Sequence, residues 1–103
     1  MNATMTRLLS LVPFVGLIGF VIASGISLLV SGTDGWQQVL LANGLLYLVG
    51  IQGFIYGTGH MFFPDPIADS IGWPKGSPFQ WEVGLANLSY GVLGAWASGQ
   101  DQF

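Results

Sequence analysis

Cysteine is absent from the 103 residues, which excludes disulfides, thiolate catalysis and any cysteine-ligated metal centre. Charge is scarce as well. Asp, Glu, Lys and Arg together make up 7% of the chain, where a soluble domain carries about 25%. So few charged groups cannot cover a water-facing surface. Only Arg7 and Lys75 are basic, so there is no cationic patch for nucleic acid. There is one histidine, and one His with one Glu is too few for a closed metal site. No nucleophile elbow, phosphate loop, dinucleotide fingerprint or H-E-x-x-H pattern occurs. No catalytic residue, metal ligand or cofactor is assigned on these grounds, and the reading leans away from an enzyme.

What the chain has is apolar side chains, at 51%. Low charge with high hydrophobicity is the reverse of a disordered composition, and a lipid-facing surface accommodates it. Leu8 to Val30 is an uncharged run of about 23 residues, against the roughly 20 that span a bilayer. A secretory signal is the rival reading, with Ala23-Ser24-Gly25 as a small-residue patch, but a signal's apolar core is only about 7–15 residues. After a turn at Ser31 to Gly35, a second run extends from Val39 to Phe63. Asp34 reads as its N-cap, with Gln37 completing a capping box, and Trp36 as an aromatic-belt residue.

Pro64 to Gly76 interrupts the pattern with three prolines, Asp65, Asp69 and Lys75. Asp65-Pro66 reads as an N-cap with proline at the first helical position, and Gly72 as a stop. A short helix at the membrane surface follows from this. Ser77, Pro78 and Gln80 then form a second capping box, opening a third long helix that runs to Ala97. The expected architecture is all-α: a membrane-spanning bundle of three helices at about 8–30, 36–63 and 78–97, with an interfacial turn at 64–77, in a single domain over 1–103. Arg7 and Lys75 then fall on one side, which the positive-inside rule makes cytoplasmic. The corresponding location is a bacterial inner membrane, with the N-terminus in the cytoplasm.

Glycine is frequent, at 16 residues, and falls at helical spacings. Gly53 and Gly57 make a G-x-x-x-G pair. Gln80, Gly84, Asn87, Gly91, Gly94 and Ser98 recur on one face of the third segment. Gly16, Gly19 and Ala23 do the same on the first. In lipid, close backbone approach and interhelical hydrogen bonds hold helices together, so these positions are read as packing faces. Asn43 and Asn87 are read as interhelical hydrogen-bonding residues. The partners implied are the lipid bilayer and either further copies of the chain or a larger membrane complex.

The polar residues at membrane depth are the candidate site. Gln52, Tyr56 and His60 are spaced by four on the second segment. A hairpin brings His60 beside Glu82 at the start of the third. Ionisable groups in membrane segments are functional candidates by default, and an imidazole changes charge near neutral pH, so a His60–Glu82 pair could relay protons or serve solute transport. The plain alternative is that the helix ends favour both groups electrostatically and that they only pack. A third reading places a quinone or pigment against Trp73, Trp81, Phe79 and His60, although aromatics at that depth are commonly belt residues.

One stretch is more specific. Gly59-His60-Met61-Phe62 through Asp65, Ala68, Ser70-Ile71-Gly72-Trp73 and on to Ser77-Pro78-Phe79-Gln80-Trp81-Glu82-Val83-Gly84-Leu85-Ala86-Asn87-Leu88 resembles an uncharacterised bacterial family of small integral membrane proteins, a domain of unknown function. The resemblance covers the middle of the chain. It implies a multi-helix membrane protein with the His60 and Glu82 segments side by side, and no known activity. Members of that family continue into a further hydrophobic helix, which implies that this chain is a shortened form or part of a longer one.

Overall fold

The computed structural model describes residues 2–100. Among them the fold is all-helical, with four helices: α1 (Ala3–Ser31), α2 (Trp36–Phe62), α3 (Pro64–Ile71) and α4 (Phe79–Ser98). By length and composition α1 and α2 are long and apolar enough to cross a membrane. α4 has 20 residues, but Gln80, Glu82 and Asn87 dilute its apolar character and it does not reach that class.

The helix starts differ from those the capping patterns suggest. α1 begins at Ala3, upstream of the apolar run, because the Asn2 side chain accepts the Met5 N–H at 2.7 Å. Gly35, not Asp34, precedes α2, and no side chain caps that end. α3 opens on Pro64, ahead of the expected Asp65 cap. It stops at Gly72, whose φ of 78° is left-handed, a conformation that costs glycine little. At α4 the Ser77 hydroxyl accepts the Phe79 N–H at 3.1 Å, while Gln80 turns inward and does not complete the box.

Two helices are irregular inside. α1 tightens to a 3₁₀ turn at Val12–Phe14, where Pro13 lacks an N–H and crowds the preceding turn. α2 widens to π-type turns over Gly44–Ile51, a geometry that is rare and local.

The helices lie in one layer. The molecule measures 48 × 28 × 15 Å, and 15 Å is little more than one helix with its side chains, about 10–12 Å. Its radius of gyration of 15.8 Å exceeds the ~13 Å of a compact chain this size. α2 occupies the middle, with α4 along one side and α1 along the other. The expected all-helical class holds, with α2 as the helix against which both α1 and α4 pack. Glycines draw α4 to one side of α2 and polar side chains fasten α1 to the other, so nothing closes the three around a shared core.

Burial is inverted accordingly. Ala68 is the one apolar residue buried among those described, at 0% exposure, whereas Ser24, Gln52, His60 and Gln80 are all buried. Leucines, valines and aromatics face outward along α1, α2 and α4, up to 88% at Leu29.

Candidate functional site

The α2–α4 contact runs antiparallel through glycine. A Cβ on Gly53 would stand 2.8 Å from the Asn87 carbonyl oxygen and 2.9 Å from the Gly91 nitrogen. One on Gly57 would stand 2.8 Å from the Leu88 nitrogen and 2.9 Å from the Gly84 oxygen. Gly91 and Gly94 meet the backbone of Gly50 in the same way, each at 2.9 Å. These neighbours are main chain and cannot rotate aside. The two backbones approach as closely as they do because both lack side chains there, the arrangement that favours helix association in lipid.

The α1–α2 contact is polar. In an unbroken helix the Gly16 N–H would reach the Val12 carbonyl. Here Gln52 inserts between them. Its Oε1 accepts the Gly16 N–H at 2.6 Å, and its Nε2 donates to the Val12 oxygen at 2.8 Å. A neighbouring side chain thus gives the Gly16 N–H an acceptor beside the 3₁₀ turn at Pro13, where the Val12 oxygen also accepts the Val15 N–H. Gly16 leaves room for the amide, since a Cβ there would fall 2.8 Å from its oxygen. One helical turn or more away, Asn43 Nδ2 donates to Ser24 Oγ at 3.2 Å.

Where α2, α3 and α4 meet, a chain of bonds orients His60. The Pro64 carbonyl can only accept, so the Gln80 amide points Nε2 toward it, at 3.0 Å. That turns Gln80 Oε1 toward the imidazole, and His60 Nδ1–H donates to it at 3.1 Å. In the neutral ring the remaining nitrogen, Nε2, is then an acceptor. Gln80 is 2% exposed, and all its hydrogen bonding is spent inward. Trp73 stacks on the imidazole with ring centres 5.4 Å apart, and Phe79 packs behind Trp73 at 5.6 Å.

His60 also borders a half-open cavity of about 380 Å³ between the first half of α1, the end of α2 and α3. Leu9, Pro13, Ile55, Phe63 and Ile67 supply most of its wall. Of the hydroxyls at its border, Thr58 donates to Phe54 and Ile55, and Ser70 to Ile67. Both are committed to their own helices.

The structure does not bring His60 and Glu82 together. Glu82 is exposed, and the ion pair among the described residues is Lys75–Asp69, at 3.2 Å on the surface. The reason is helical phase: two residues on a helix are about 200° apart, so Gln80 facing His60 sends Glu82 outward. Gln52, Tyr56 and His60 do lie along one side of α2, but Gln52 is consumed by α1 while Tyr56 and His60 border the cavity. Trp73 and Phe79 accompany His60. Trp81 is half exposed and points away from them. Asn87 donates within its own helix, to the Val83 carbonyl at 3.0 Å, so its interhelical bond is corrected too. Gln80 is the partner that the sequence reading missed; the capping-box pattern had assigned its amide to the backbone.

Among known proteins, a family model described as "Family of unknown function (DUF6790)" matches residues 10–102. No curated protein and no solved structure matches the chain.

Proposed function

The chain belongs to DUF6790, a family of unknown function, and we propose that it is a multi-pass membrane protein with a structural or accessory role, its three long helices standing side by side across the bilayer. One observation carries this reading: the polar side chains are buried and the apolar ones face out. In water such a surface would be an aggregation liability, since monomeric soluble proteins rarely expose apolar patches beyond a few hundred Å². In lipid it costs nothing, and the inward polar groups find partners in each other. α4 joins the spans on geometric grounds. Its ~30 Å length and its glycine contact with α2 hold it alongside a helix that is itself apolar enough to cross. α3, with Asp65 and Asp69 exposed and Ala68 buried, then lies at the interface.

The role follows from the shape. A layer one helix thick has two broad apolar faces and no interior of its own. The glycine positions Gly53, Gly57, Gly84, Gly91 and Gly94 are occupied by contacts inside the chain, so further copies or other membrane subunits would meet the aliphatic faces instead. The setting we propose is the bacterial inner membrane, with the Arg7 and Lys75 ends cytoplasmic. Alkaline carbonate extraction of membranes tests the first part. The protein is expected to stay with the sedimented membranes, and quantitative release into the supernatant would contradict it. Mass measurement in detergent tests the second, for which a strictly monomeric particle is the contrary result.

A further inference from the structure

We propose that the cavity between α1, α2 and α3 is a binding site for a lipid-soluble molecule with a hydroxyl head, and that His60 Nε2 accepts the hydrogen bond from that head. The inference rests on the membrane reading for the ligand's source, and on the local geometry for its chemistry.

The hydrogen-bonding chain from Pro64 through Gln80 fixes which imidazole nitrogen carries the proton. Nδ1–H is committed, and in the neutral ring Nε2 offers a bare lone pair. Trp73 covers the ring's face. Among the described residues Nε2 meets no partner, yet no side-chain nitrogen or oxygen there is both sealed and unpaired. It therefore keeps some exposure although His60 as a whole is buried, and His60 borders the cavity.

The remaining walls supply little competition. The Thr58 and Ser70 hydroxyls donate to their own helices. Tyr56 is the other group whose hydroxyl is uncommitted among the described residues. The volume, about 380 Å³, lies in the range of small-molecule sites, and an apolar wall with few convergent polar groups is their usual composition. An acceptor in an apolar pocket selects a donor: a phenol or alcohol fits, whereas an ether or ketone of the same shape leaves Nε2 unpaired. Among the described residues no Lys or Arg lines the wall, which disfavours a phosphate head.

The chain's single histidine makes the test direct. In the full chain reconstituted in nanodiscs, after carbonate extraction has separately established membrane insertion, long-range proton–nitrogen spectra report both imidazole nitrogens. The probes are 4-octylphenol and its methyl ether. We expect Nδ1 protonated and Nε2 bare before addition, then a saturable shift of Nε2 with the phenol. The ether should bind more weakly by about three- to tenfold, the weight of one hydrogen bond. Leu9→Trp, which fills the cavity from α1 without touching the His60–Gln80 pair, should abolish the shift and keep the resting tautomer. A proton on Nε2 at rest would overturn the proposal. So would equal responses to phenol and ether, a response that never saturates, or one that survives in Leu9→Trp.

Discussion

At the residue scale, glycines that hold helices together differ from those that do not. A Cβ on Gly53 meets the backbone of α4 at 2.8–3.0 Å, whereas one on Gly25 meets nothing within 4 Å. Gly53→Ala is therefore expected to destabilise the fold by about 1–3 kcal/mol, the range for overpacking. Gly25→Ala should be neutral or stabilise by up to about 1 kcal/mol through helix propensity. Reversible unfolding in mixed micelles measures both. Gln52 gives a second residue-scale test. Gln52→Leu leaves the Gly16 N–H without its acceptor, while the Val12 carbonyl keeps the Val15 N–H, and should cost about 1–3 kcal/mol. Pro13→Ala allows the α1 ladder to close, so the double variant should lose less than the sum of the single ones. Additive losses would show that the amide is not filling the break at Pro13.

At the element scale, the corner of α2, α3 and α4 depends on Gln80. Gln80→Leu removes the bridge from the Pro64 carbonyl to His60. Hydrogen exchange at the α3 amides is expected to rise by about tenfold, the equivalent of ~1.4 kcal/mol. Amides along the Gly53–Gly91 contact should keep their protection. Uniform acceleration across α2 and α4 would mean that Gln80 holds the whole layer and not the corner. The elements also show what a sequence reading can reach. The long helices were legible because uncharged runs of spanning length are hard to read otherwise. Gly53 and Gly57 were legible as a spacing. The partner of His60 was not, because Gln80 and Glu82 both sit in the first turns of α4 and only the helix phase decides which faces inward. The Pro13 break was signalled by a proline inside an apolar run, but its pairing with Gln52 needs the register of α1 against α2. The π-type turns of Gly44–Ile51 left no mark in the sequence, since they are set by packing against neighbours.

At the scale of the whole molecule, the inverted surface and the 15 Å thickness belong together. A layer this thin cannot bury apolar side chains from a solvent on either face, which is why we propose that its solvent is lipid. The same geometry explains why the polar groups with the best geometry lie between helices. We propose that α1, α2 and α4 all cross the bilayer, and α4 is the span whose composition argues least for itself. Because the chain has no cysteine, single cysteines can be placed against a silent background. Thr4, Thr33 and Pro74 are exposed and mark the start of α1, the α1–α2 turn and the α3–α4 turn. A fourth cysteine at Gly99, just past α4, completes the set. In sealed, oriented vesicles a membrane-impermeant maleimide should modify positions 4 and 74 from one side, and 33 and 99 from the other. Labelling of 74 and 99 from the same side would show that α4 does not cross, and labelling of all four from one side would contradict the account entirely.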